Sequence, residues 1–397
     1  MTAQLPQGFR VAGVRCGIKK VSQNPDLALF VSDVPCVAAG CYTKNHVVAA
    51  PVVLDRQRTP AAAMRAVVVN AGNANACTGQ RGLDDAHEMA RLAALACGVE
   101  AAQMLVMSTG IIGEHLPMAK IEAGVQAAVA ELSAEPEALA AASRAIMTTD
   151  LVPKVTSRSV QTSLGEVRLT GVAKGSGMIG PNMATMLGIV MTDAGLDADD
   201  AQDMLTAAVD QSFNCVTVDG HTSTNDTVLF LANGQATSGT LTDGDRDRCG
   251  AALTEVCIEL AKMIADDGEG ATHLVEIHVR GMDTTANART IAAAIANSPL
   301  VKTAIAGADP NWGRIVSAAG YAGPPFDPLQ VDLRVNGILL YERGTPVPFD
   351  AAEVSASIGG QRETRIEIEF AEGTANVCYW TCDLTKEYVA INADYHT

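Results

Sequence analysis

The sequence predicts an α/β fold of the mixed α+β kind, with largely antiparallel sheets packed with helices. Three observations carry that prediction. Short apolar strands, Ala-rich helical stretches and Gly-rich turns intermingle from end to end. Near the C-terminus several alternating strands follow one another with no helix between them, which favours antiparallel pairing over a doubly wound parallel sheet. With 397 residues and 48% hydrophobic content the chain can bury a large core, yet aromatics make up only 4%. Packing must therefore rely on small aliphatic side chains and close backbone approach.

Taken in order, residues 65–70 (RAVVVN) and 104–108 read as buried strands, each running into a Gly-containing turn. Residues 85–97, 117–132 and 136–147 carry the spacing of amphipathic helices. Residues 166–173 read as a strand, and 186–192 as a buried apolar strand ending at Thr192-Asp193. Helical periodicity returns at 199–212 and 247–266. Residues 274–280, 330–336, 364–370 and 375–381 alternate like half-exposed strands, and the apolar run at 388–391 reads as a docked strand. The softest place for a boundary is 133–150. There is no repeat, heptad pattern or low-complexity linker.

Charge and cysteine usage narrow the function classes. A formal net charge of −17 repels phosphate backbones and anionic lipid, which disfavours nucleic-acid and membrane partners. No run of about 18 apolar residues is available to span a bilayer, and the N-terminus lacks the basic start and apolar core of a signal peptide. The ten cysteines form no C-x-x-C; Cys36/Cys41 and Cys378/Cys382 are the closest pairs. They read as free, mostly buried thiols in a reducing cytosol, so a soluble cytoplasmic protein is expected. The seven histidines show no H-x-H or H-E-x-x-H, so no metal site is expected.

The most informative stretch is 171–194, GVAKGSGMIGPNMATMLGIVMTDA. Gly175, Gly177 and Gly180 spell G-x-G-x-x-G, which marks a dinucleotide site only between a strand and a helix, with an acid about twenty residues on. The strand at 166–173 and Asp197 would suit, but the apolar strand expected at 186–192 stands where the helix should be. A second reading centres on Ala184-Thr185. A Thr hydroxyl is a poor nucleophile without a base, and an α-amine on the same residue supplies one. Its reference pKa of about 7.7–8.0 leaves a useful neutral fraction. Making that amine requires a cut before the Thr, which the hydroxyl itself can make by attacking the preceding carbonyl.

Around this point the sequence resembles the ornithine acetyltransferase family, the bifunctional glutamate N-acetyltransferase/amino-acid acetyltransferase of arginine biosynthesis. The blocks GFRVAGVRCGIK, DLALFVSD, VVVNAGNANACTG, MSTGIIGE, IMTTD, FNCVTVDGHTSTNDT, DDGEGATHLVEI, ADPNWGRI and INADYHT occur in family order along nearly the whole chain. The resemblance implies the family fold, shared with self-processing aminopeptidases. It implies a cut between Ala184 and Thr185 into an α chain, 1–184, and a β chain, 185–397. Thr185 would take acetyl from N-acetylornithine, hold it as an ester, and pass it to glutamate. No cofactor is needed, and acetyl-coenzyme A as a co-substrate is left open. Two α and two β chains are the assembly it implies.

The resemblance also places a site. Thr109 and Gly110, in MSTGIIG, match the oxyanion-hole pair, where charge builds on the carbonyl oxygen. Thr148, Lys174, Thr185, Glu269, Asn392 and Thr397 match substrate contacts, with Thr149 the alternative to Thr148. Asn70, Asn73 and Asn75 form a polar turn that braces the oxyanion loop or accepts local backbone bonds. Trp312 and Arg314 line the pocket or anchor a subunit contact. One departure is visible: His221 stands where the family usually has Asp. The rival enzyme class is a self-processing N-terminal-nucleophile aminopeptidase or amidase, whose known relatives use Ser as the new N-terminus.

Overall fold

The computed structural model describes residues 3–20, 22–180 and 186–394. Ala184, Thr185 and Thr397 therefore lie outside the described residues.

Two sheets divide the chain. The first holds β1 (Phe9–Val14), β2 (Leu27–Tyr42), β3 (Ala61–Asn73), β4 (Met104–Ile111), β5 (Lys154–Thr162), β6 (Gly165–Lys174), β7 (Leu187–Thr192) and β8 (Thr227–Ala232). Its order is β4-β3-β2-β8-β7-β6-β5, with β1 also on β2. The second holds β9 (Leu274–Met282), β10 (Asp332–Val335), β11 (Ile338–Glu342), β12 (Thr345–Pro346), β13 (Glu363–Glu369) and β14 (Ala375–Cys382), in the order β12-β11-β10-β13-β9-β14. Antiparallel pairing dominates as expected. The exceptions among the described residues are β3 with β4, β7 with β8, and β9 with β13, which are parallel.

The long strand β2 shows how the first sheet folds over on itself. Val31 pairs with Ala66 but Cys36 pairs with Met64, so the strand bulges and bends between them. Its first half carries β1 and its second half β8. The two halves of the sheet then share one core. Val67 and Val69 of β3 and Leu105 and Met107 of β4 pack with Ile189 and Met191 of β7 and Leu229 and Leu231 of β8. Leu139 and Ala142, from the helix Pro136–Ala145, join the same cluster.

Helices cover the outer faces. Ala66, Val68, Met104 and Val106 pack against Met89 and Ala90 of the helix Gly79–Cys97 and Ile121 and Val125 of Met118–Ala130. On the other side, Leu169, Val190 and Phe230 pack on the helices Ala198–Gln211 and Asp243–Asp266. The longer of these also carries Val275 and Ile277 of the second sheet in its core. The order is helix, sheet, sheet, helix, with a further sheet beyond.

Two expectations need correction. The stretch 133–150 is no boundary, because its helix is seated against β1 and inside the shared core. Residues 388–391 form no strand; they lie in the helix Lys386–Asp394. Pro136–Ala145 and Asp243–Asp266 answer the helical spacing well, whereas β2, with its internal Ser-Asp-Val-Pro, was not legible as a strand. All ten cysteines are free, with Cys77 alone exposed. Among the described residues no helix is long and apolar enough to cross a membrane.

Candidate active site

A cavity of about 290 Å³ opens where β4 and β6 end. Its wall includes Thr109, Gly110, Thr148, Lys174, Glu269 and Asn392, six positions that lie up to 283 residues apart in sequence (392 − 109). Thr149, Ile112, Gly177, Met178 and Ser223 complete it.

Thr109 and Gly110 come from the parallel pairing of β4 with β3, which sets them opposite Ala71 and Gly72. The backbone there is tightly opposed: a Cβ on Gly110, at φ +132°, would lie 2.3 Å from the carbonyl carbon of Gly72. Only glycine fits. The asparagines brace this turn as anticipated. Ser108 Oγ donates to Asn70 Oδ1 at 2.6 Å, and Asn70 Nδ2 donates to the Asn73 carbonyl at 2.8 Å. A residue the sequence reading overlooked does more: Asn225 Nδ2 donates both to Ala74 O at 2.7 Å and to Ser108 O at 2.9 Å.

Lys174 closes β6, paired with Leu187 at the start of β7, so it stands directly beside the strand that begins just after Thr185. Its side chain is 3% exposed and faces Asp150 at 3.9 Å. Burial, foremost, pushes the amine below its usual range; Asp150 opposes the shift, Lys154 adds to it, and Asp226 and Glu269 oppose it. For Asp150, burial alone would raise the carboxyl, but Lys174 and Lys154 outweigh it and hold the group well below the ordinary range. Asp150 Oδ1 also accepts from Gly175 N at 2.6 Å and Oδ2 from Thr148 N at 3.0 Å. It thus holds the Thr148 and Lys174 segments together, while Thr149 Oγ1 hydrogen-bonds Ser176 Oγ at 2.8 Å.

Glu269 arrives on the loop that follows Asp243–Asp266, its N–H donating to Ser176 O at 2.9 Å. A Cβ on Gly177 would sit 2.4 Å from the Glu269 carboxyl carbon, so this glycine lets the carboxylate in. The glycine fingerprint thus serves packing. The next described element after it is β7, starting at Leu187, where a dinucleotide site needs a helix. Asn392 Nδ2 donates to Glu269 Oε2 at 2.9 Å from the C-terminal helix. Tyr388 on that helix donates to Asp219 Oδ2 at 3.1 Å, and Asp219 in turn accepts the N–H groups of Met178 and Ile179.

Asp226 was also missed. It is buried, its Oδ1 accepts from Met186 N at 3.2 Å, and its Oδ2 has no hydrogen-bond partner among the described residues. Burial pushes its carboxyl well above the usual range. No sequence motif flags it, because the signal is burial itself. His221 is exposed beyond the cavity wall. Trp312 stacks on Tyr341 at 5.2 Å and Arg314 donates to Leu300 O, so neither is part of this wall.

Among the described residues the clustered candidate metal ligands are Glu276, His278 and Cys378, on β9 and β14. There Lys262 and Arg365 already pair with the Glu276 carboxylate.

A sequence profile described as the ArgJ family matches residues 10–397. The chain is 46% identical over 396 residues to the arginine biosynthesis bifunctional protein ArgJ of Rhodopirellula baltica, covering 99% of this chain and 96% of that protein. The corresponding protein of Symbiobacterium thermophilum is 49% identical, over 99% and 98%. A crystal structure of arginine biosynthesis bifunctional protein ArgJ from Bacillus halodurans is similar at 41% identity and a TM-score of 0.51, covering 52% of this chain and 98% of that one. With a profile match over nearly its full length and relatives this similar, the chain belongs to the ArgJ family.

Proposed function

We propose that the chain cuts itself between Ala184 and Thr185 and that Thr185 then carries acetyl from N-acetylornithine to glutamate. Family membership makes the chain an acyltransferase of arginine biosynthesis. The observation that carries the finer reading is the single cavity joining Thr109, Gly110, Thr148, Lys174, Glu269 and Asn392, beside the start of β7.

In the transfer, the Thr185 hydroxyl attacks the acetyl carbonyl and its proton passes to the α-amine. The Thr109 hydroxyl and the Gly110 N–H are the donors for the oxyanion. The C–N bond breaks, ornithine leaves with that proton on its amine, and an acetyl ester remains. The amine of glutamate attacks the ester and regenerates Thr185. Lys174 offers a cation for the carboxylate both substrates share, and Glu269, held by Asn392, offers a carboxylate for the ornithine ammonium. The assembly is two α and two β chains in the cytoplasm, where ten free thiols stay reduced.

The relatives are called bifunctional, and a second donor for this chain, acetyl-coenzyme A, is assayed by the same transfer to glutamate. Intact mass under denaturing conditions tests the core of the proposal. Two fragments meeting at Ala184/Thr185 are expected from the wild type, and one 41.2 kDa chain, inactive in transfer, from Thr185→Ala. Acetyl transfer surviving in Thr185→Ala sinks the mechanism. Release of acetate to water, with none reaching glutamate, would favour the amidase class.

A further inference from the structure

We propose that Lys154 is a positioning residue of this site: its ammonium ties Asp150 to Asp267 and so fixes the spacing of Thr148, Lys174 and Glu269. The proposal rests on the acyl-transfer reading above and deepens it. Lys154 opens β5 with a side chain 0% exposed. Its Nζ lies 2.7 Å from Asp150 Oδ1 and 2.6 Å from Asp267 Oδ2. Each carboxylate holds a different part of the cavity wall. Asp150 accepts the N–H groups of Thr148 and Gly175 and faces Lys174. Asp267 accepts from Leu151 N at 3.0 Å and stands two residues before Glu269.

The four charges alternate in a row, Asp267–Lys154–Asp150–Lys174, so each of these four stands next to an opposite charge. An ion pair this deep is a poor device for stability alone, since apolar residues of similar volume often serve as well or better. What it supplies here is geometry: one ammonium joins segments 113 residues apart in sequence behind the substrate groups. It also sets how Lys174 is charged. Lys154 is a second cation near Lys174 and, after burial, disfavours its charged form while Asp150 favours it. The charged groups around Lys174 are Asp150, Lys154, Asp226 and Glu269, and Lys19 beside Asp26 stands in the same field. Removing the Lys154 charge leaves Asp150 to Lys174 and raises the pH at which the Lys174 amine deprotonates.

Three variants test this. Lys154→Met strands Asp267 and is the one prone to misfold. Lys154→Met with Asp267→Asn leaves no unpaired carboxylate. Lys154→Arg keeps the charge but moves it. For each, thermal unfolding reports folding, and steady-state transfer gives KM and kcat. Labelling of Lys174 by an amine-reactive acylating reagent, followed by peptide mass spectrometry across pH, reads the amine directly. In the folded double variant, KM is expected to rise about tenfold with a smaller change in kcat, and the half-point of Lys174 labelling to move up by about one pH unit. Lys154→Arg is expected to restore the labelling half-point while KM stays raised. A folded double variant with wild-type KM and labelling half-point overturns the proposal, as does loss of activity that only tracks the lost folded fraction. The labelling needs no turnover, so a wild type that neither cuts itself nor transfers acetyl would refute the acyl-transfer reading and still leave Lys154 decided.

Discussion

At Gly110 a single hydrogen decides the site. Alanine there puts a Cβ 2.3 Å from the Gly72 carbonyl carbon, so β4 must move away from β3 and take the proposed oxyanion donors with it. Gly110→Ala is expected to lose transfer almost entirely. Thr109→Ala, which removes one donor and leaves the backbone in place, is expected to lower kcat by about 10²–10³; single-turnover acylation compares the two. Asp226 makes a different prediction. Its carboxyl is held well above the usual range by burial, so the folded protein keeps a proton that the unfolded chain releases near pH about 4. Stability attributable to this group falls as pH rises from there toward the raised value, the folded state being the one with more protons bound. Asparagine cannot ionise and keeps an oxygen for the Met186 N–H. The stability difference between Asp226→Asn and wild type should therefore grow in favour of the variant from about pH 5 to about pH 8. A difference flat with pH would mean that Asp226 does not titrate in that window.

At the scale of elements, the C-terminal helix Lys386–Asp394 shows both what the sequence made legible and where it misled. Asn392 was placed at the site by resemblance, and the structure sets it 2.9 Å from Glu269. The element carrying it was read as a strand because 388–391 is a short apolar run, and such runs do not separate strand from helix by periodicity. The helix presents Tyr388 and Asn392 four residues apart on one face, from which they reach Asp219 and Glu269. Asn392→Ala removes a hydrogen bond to a carboxylate and should raise KM about five- to tenfold, corresponding to roughly 1–1.4 kcal/mol. Tyr388→Phe breaks the bond to Asp219 without touching the cavity and should have a smaller effect of the same sign. Equal KM values for Asn392→Ala and wild type would mean that Glu269 needs no such support. The loop residues Asp150 and Asp226 went unread for a physical reason. Their role comes from partners far along the chain and from burial, and neither leaves a local pattern. Thr109, Gly110, Lys174 and Glu269 were placed by resemblance, through short contiguous motifs, and backbone geometry demands a residue type only at Gly110 among them.

For the molecule as a whole, the expected division into 1–184 and 185–397 does not coincide with a division of the fold. β6 precedes the proposed cut and β7 follows it, yet the two are paired along six positions from Leu169↔Thr192 to Lys174↔Leu187. β2 and β8 are joined in the same way along six more. The core between the two halves of the first sheet mixes Val67, Leu105 and Val172 with Ile189, Met191 and Leu229, so neither piece can keep its apolar face covered alone. Cutting one peptide bond removes none of this. The composition foretold such a core, rich in small aliphatic side chains, but not which strands would share it, because pairing between segments far apart in the chain leaves no local pattern. The cut protein is therefore expected to elute as one species in native size-exclusion chromatography and to separate into pieces of 184 and 213 residues only in denaturant. Both pieces should also unfold in a single transition, since one buried core spans them. Separate elution of the pieces under native conditions would show that the sheet does not hold across the cut, and with it would go the arrangement that keeps Lys174 opposite the start of β7.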